Sequence, residues 1–78
     1  MNIYEMTFLA PCPVNNVVIE YAWRMESPNA VMVEDIVDFV AHVEGFHEVI
    51  ASELYAKFQG HQTMTAYHHG VRITTLRP

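Results

Sequence analysis

The spacing of apolar residues in this chain changes twice, and the segments so marked off fit few architectures. From Asn2 to Ala10 the residues alternate, with Ile3, Glu5, Thr7 and Leu9 on one face and Tyr4, Met6, Phe8 and Ala10 on the other, which is the period of a strand. A second alternating run sets Val17, Ile19, Tyr21, Trp23 and Met25 against Val18, Glu20, Ala22, Arg24 and Glu26, and the first of these sets marks the core face. After Val31 the period lengthens to about 3.6, with Val33, Ile36, Val37, Val40 and Val43 on one stripe and then Phe46, Val49, Ile50, Leu54 and Phe58 repeating it. The period of two returns where Met64, Ala66 and His68 alternate with Thr63, Thr65 and Tyr67, and a last strand runs from Val71 to Leu76. The expected order is strand, strand, helix, helix, strand, strand. That is an α+β fold with a four-stranded antiparallel sheet and two antiparallel helices on one face, in a single domain over residues 1–78.

The residues between these runs supply the breaks. Neither proline of Pro11-Cys12-Pro13 can donate to a ladder, so the first strand stops and Cys12 sits on a stiff turn. Asn15-Asn16 supplies turn chemistry and makes the first two strands a hairpin, which Ser27-Pro28-Asn29 ends. Glu34 and Asp35 suit the first turn of the first helix, where the macrodipole favours negative charge. Glu44-Gly45 divides the helical stretch, because an unbroken helix from Val31 to Phe58 would run about 40 Å, longer than so small a domain can cover. His68-His69-Gly70 turns the chain into its last strand. No internal repeat or low-complexity segment divides the chain further.

At 78 residues a single core barely offsets the chain entropy lost on folding. One cysteine allows no internal disulfide, and 51% of the residues are hydrophobic, so part of the apolar surface is expected between subunits of a homo-oligomer. A net charge of −5 with four basic residues argues against a nucleic-acid partner, which needs clustered Lys and Arg, but leaves a free base or nucleoside open. The start Met-Asn-Ile-Tyr-Glu lacks the features of a secretion signal, and no stretch approaches the roughly 20 apolar residues of a membrane span. The expectation is a cytoplasmic protein with no membrane partner and a reduced thiol.

Two short segments carry the candidate chemistry. Cys12 reads either as a small buried hydrophobe or as a nucleophile presented at fixed geometry by two prolines, in which case a nearby base or positive charge must activate it. In Phe46-His47-Glu48, directly after Gly45, His47 and Glu48 read either as solvated first-turn residues or as a functional pair. In the second case Glu48 accepts two N–H donors of a heterocycle and His47 exchanges a proton. His42, His61, His68 and His69 bring zinc into consideration with Cys12 and His47. The spacing of His42 and His47 does not align them on a helix face, however, and His68 and His69 in a strand point to opposite faces, so no metal is expected.

Phe8-Leu9-Ala10-Pro11-Cys12-Pro13-Val14, the strand Val17-Val18-Ile19-Glu20-Tyr21, Phe46-His47-Glu48 opening a helix, and the late His69-Gly70-Val71 run in the order of similar motifs in the nitrile reductases of queuosine biosynthesis, the 7-cyano-7-deazaguanine reductase family. That family has a Cys-Pro-Val turn, a Val-x-Ile-Asp-Tyr strand, a Phe-His-Glu segment and a late Arg-Gly-Gly-Ile turn. The chain resembles it over most of its length. The resemblance implies the tunnelling fold, whose subunits join edge to edge into an oligomeric barrel with the substrate site between them, and barrel closure would remove exposed strand edges. It implies that Cys12 attacks the nitrile carbon of 7-cyano-7-deazaguanine (preQ0) to form a thioimide. Glu48 and the neighbouring Phe46 would bind the base, and His47 would assist proton transfer.

The chain also departs from the family's pattern. The segment between Cys12 and Tyr21 is shorter than in the family, and the aspartate that helps activate the thiol has no counterpart. The position seven beyond Cys12 is Ile19, and Glu20 falls on the opposite sheet face. The family's cofactor helix carries two lysines for the phosphates of NADPH, whereas Val33-Glu34-Asp35-Ile36-Val37-Asp38 carries none and repels such an anion. This counts against hydride reduction, and related members without the cofactor motif transfer an amine to the nitrile instead. Three readings therefore stand: a nitrile-processing enzyme, a non-catalytic tunnelling-fold oligomer that binds a purine-like or pterin-like base, and a structural oligomer with a buried Cys12.

Overall fold

The computed structural model describes residues 1–78. The elements run β1 (Asn2–Pro11), β2 (Val18–Ser27), α1 (Val33–Val40), α2 (His47–Phe58), β3 (His61–His68) and β4 (Val71–Arg77). The four strands form one antiparallel sheet in the order β1-β2-β3-β4, and both helices pack on one face of it. This is the expected α+β order.

The period-two patterns decide which face is covered. Pairing of Met6 with Trp23 and Phe8 with Tyr21, then of Trp23 with Met64, lays the apolar sets side by side. Ile36, Val40, Val43, Ile50, Ala51 and Leu54 close over them in one core. Ile50 and Leu54 are fully buried, each stabilising by about 1.5–3 kcal/mol through removal from water. Phe39 and Phe58 meet edge to face at 5.6 Å and join the helices. The other face is open: Ile3, Leu9, Val18, Tyr67 and Leu76 are each more than half exposed. No helix is long and apolar enough to cross a membrane.

One polar side chain lies deep in this core. Gln62 Oε1 accepts the indole N–H of Trp23 at 3.0 Å, and Gln62 Nε2 donates to the carbonyls of Leu54 at 3.1 Å and Gln59 at 2.7 Å. It ties β2, β3 and the end of α2 together.

Element ends depart from the periodic reading by a few residues, each for a local reason. β1 continues through Pro11, which pairs with Val18; an edge strand tolerates a residue with no N–H to donate. The first helix stops at Val40 rather than continuing to Val43. There the His42 ring takes the Asp38 carbonyl at 2.9 Å, while the His42 N–H turns to Phe39. β3 starts at His61, two residues before Thr63, because Gly60 at φ 74° swings the chain straight from α2 onto β2. A Cβ on Gly60 would lie 2.5 Å from the Glu26 carbonyl oxygen. The His69-Gly70 turn has φ of 51° and 80°, the two positive values that a tight two-residue hairpin requires.

Candidate functional site

The turn after β1 holds Cys12 by its backbone on both sides. Its N–H donates to the Val17 carbonyl and its own carbonyl accepts the Asn16 N–H, each at 2.8 Å. Asn16 adopts the left-handed conformation that its short polar side chain tolerates, and Asn15 Oδ1 caps the Val17 N–H at 3.1 Å. Cys12 is half-buried, not sealed in the core. It borders two clefts. One of about 400 Å³ also reaches Glu20, Tyr67, His68 and His69, and the other, about 390 Å³, reaches Glu44 and Gly45 at the approach to α2.

Gly45 at φ 122° turns the chain into Phe46, which precedes α2 in an extended conformation and makes no side-chain cap. Phe46 is 55% exposed. His47, the first residue of α2, is buried against the sheet, so it is not the solvated first-turn residue that one reading allowed. Its Nδ1 lies 3.3 Å from His68 Nε2, and its ring stands edge-on to Tyr21 at 5.4 Å. Burial pushes the His47 imidazole below its ordinary value, and the neighbouring His68 adds to the effect. Its Nε2 is buried with no hydrogen-bond partner of ordinary geometry, as is Thr75 Oγ1. The Met64 carbonyl nonetheless favours a proton on the His47 ring.

Tyr21 links the two candidate segments. Its phenol is pushed up first by burial and then by Cys12, while both His47 and His68 stand edge-on to its ring. Cys12, Tyr21, His47 and His68 therefore share the sheet end where β1 and β3 finish.

Glu48 does not join them. Its side chain is 71% exposed and its Oε2 accepts from Arg77 Nη2 at 2.8 Å, with Arg77 also donating to Ser52 Oγ at 3.2 Å. The guanidinium holds the Glu48 carboxyl below its ordinary value. Glu48 thus faces the flank of β4, the edge of the sheet opposite β1, and its Oε1 remains free of protein partners.

Tyr21 and His68 entered the sequence reading only as a core-face residue and a possible zinc ligand, and Arg77 did not enter it. A signal existed for two of them, since Tyr21 falls on the core face of β2 and His68 on the same face as Met64 and Ala66. Of the other histidines, His42 is held by Asp38, while His61 and His69 are exposed. No group of three or more His, Cys, Asp or Glu side chains is arranged to hold a metal ion.

The surface of α1 is acidic. Glu34, Asp35 and Asp38 are exposed and the last turn holds no basic residue. The cleft beside α1, about 420 Å³, sets Asp35, Asp38 and Glu53 against the single cation Lys57. Phosphates approaching this face meet net negative charge. Comparison with protein-family models, with curated proteins and with solved structures found no match for this chain.

Proposed function

We propose that the chain is a nitrile-processing enzyme of the 7-cyano-7-deazaguanine type, working as a cytoplasmic homo-oligomer in which Cys12 captures the nitrile as a thioimide. The observation that carries this reading is the backbone-locked, half-buried thiol at the same sheet end as the His47–His68 pair. A weakly electrophilic nitrile needs a nucleophile held near attack distance together with a group to supply a proton to the nitrogen. A cleft of about 400 Å³ beside Cys12 is ample for a bicyclic base.

The separation of Glu48 from Cys12 supports a site between subunits. Glu48 lies on the β4 flank and Cys12 at the end of β1, the two opposite edges of one sheet. Joining β4 of one copy to β1 of the next would bring one subunit's base anchor, Glu48 with Phe46, toward the other's thiol. The open edges of β1 and β4 and the exposed apolar residues on the uncovered face supply surface for such closure. An amine attacking the thioimide carbon and expelling the Cys12 thiolate would complete the reaction as an amidine, and the acidic α1 favours this over reduction.

Incubation with 7-cyano-7-deazaguanine followed by intact-mass measurement tests the proposal. The expected result is an adduct of one substrate mass that Cys12→Ala abolishes, with no adduct sinking the enzymatic reading. Calorimetric binding without an adduct points instead to a base-binding oligomer anchored by Glu48. Consumption of NADPH in the same mixture would restore reduction.

A further inference from the structure

We propose that His68 is the residue that exchanges the proton with Cys12, and that buried His47 acts as a positioning residue holding His68 in one tautomer. The inference rests on the thiol chemistry proposed above and moves to His68 the proton-transfer role that the motif resemblance implies for His47.

His68 lines the larger cleft that borders Cys12, and His47 lines neither of the two. The His47 ring is instead buried, edge-on to Tyr21 of β2. Its one polar contact with a side chain is the 3.3 Å approach of Nδ1 to His68 Nε2.

Two tautomeric arrangements fit that contact, and burial separates them. If His47 Nδ1 carried the proton and donated to His68, His47 Nε2 would be a bare lone pair buried with no donor in reach, at a desolvation penalty. If His68 Nε2–H donates to His47 Nδ1, the proton of neutral His47 sits on Nε2; the Met64 carbonyl favours a proton on this ring, and as an acceptor it answers an N–H and not a lone pair. The second arrangement leaves His68 Nδ1 as an unprotonated acceptor without a protein partner, on a half-buried ring at the cleft wall. A buried group that fixes the tautomer of a histidine beside a nucleophile reproduces the logic of a catalytic triad with a second imidazole as the orienting member.

The proton balance is closed. His68 Nδ1 takes the Cys12 proton, directly or through one water, as Sγ bonds to the nitrile carbon. The C≡N π pair moves to nitrogen, which takes the proton back from His68 Nδ1–H. The product is the neutral thioimide, with no oxidant, reductant or net proton required. Glu20, Tyr67 and His69 also line this cleft, and Glu48 and Arg77 act on His47 from α2 and β4. Among the groups at the cleft, His68 alone is fixed by a side-chain hydrogen bond to a buried partner.

Cys12 alkylation by iodoacetamide, followed against pH, tests this without the nitrile substrate. His68→Asn is expected to slow alkylation at neutral pH at least about ten-fold and to remove one step from the pH profile. His69→Asn and Glu20→Gln should stay within about two-fold of the parent protein. His47→Leu should lose the same step, and His47→Asn, which retains an acceptor near the Nδ1 position, should recover it. An unchanged rate in His68→Asn, or an equal loss in His69→Asn or Glu20→Gln, overturns the assignment.

Nitrogen-15 imidazole spectra of the unsubstituted protein provide a readout that does not depend on any variant folding. His68 should carry its proton on Nε2, and a proton on Nδ1 overturns the dyad. Adduct formation with 7-cyano-7-deazaguanine separates the two proposals. An adduct that forms equally fast in His68→Asn removes the dyad and keeps the nitrile reading, whereas a dyad intact by alkylation and spectra with no adduct removes the nitrile reading alone.

Discussion

His47 is a histidine that the fold keeps neutral. The imidazole titrates below its ordinary value near 6.5 because burial disfavours its charged form, so between the folded value and 6.5 the unfolded chain binds a proton that the folded chain does not. The stability associated with neutral His47 is therefore fully present above pH 6.5 and is lost as pH falls through that window, with a slope of at most about 1.4 kcal/mol per pH unit. Glu48 acts in a lower range: its carboxyl is held down by Arg77, so its contribution is present above its ordinary value and is lost as pH falls through the depressed one. Urea unfolding at about pH 7.5 and about pH 5.5 should show the acid loss in the parent protein and a flatter dependence in His47→Leu. Equal slopes in the two proteins would mean that another group dominates.

At the scale of elements, α1 is the least supported unit. It spans eight residues, and Met32 before it has an extended backbone but no side chain to cap the first N–H groups. Its place depends on Ile36 and Val40 in the core and on the Tyr4 hydroxyl, which accepts the Val31 N–H at 2.8 Å. Met32 is 63% exposed, so Met32→Ser can supply a cap without opening a cavity. Stabilisation of about 1 kcal/mol by denaturant midpoint is expected, and no gain would show that helix fraying does not limit the fold.

The elements themselves were legible because each buries one face and writes its period into the chain. Tyr21, Trp23 and Met25 fell on the core face of β2, and Gly45 divided the helices, as their spacing implied. What the spacing does not carry is contact between remote residues. His47 meets His68 across 21 positions and Glu48 meets Arg77 across 29, and both pairings depend on how α2 docks on the sheet. The same dependence sets Glu48 apart from Cys12 within one chain, which the order of the motifs does not show.

At the scale of the molecule, two free strand edges and an uncovered face bearing Ile3, Leu9, Val18, Tyr67 and Leu76 leave a large apolar area in water. Sedimentation at micromolar concentration should give a mass several times the 9.0 kDa of one chain, and a monomer would remove the intersubunit site. Pairing of edges requires fidelity, and within the chain that fidelity has a visible source in Gln62. Sliding β3 by two residues past β2 would keep every side chain on its own face, so the hydrophobic pattern alone permits the error. The slip would carry Gln62 away from Trp23 and leave a buried indole N–H unanswered, at a cost of about 1–3 kcal/mol. One buried amide thus acts as a proofreading device for strand pairing, rejecting the near-miss alignments that an all-apolar core would accept.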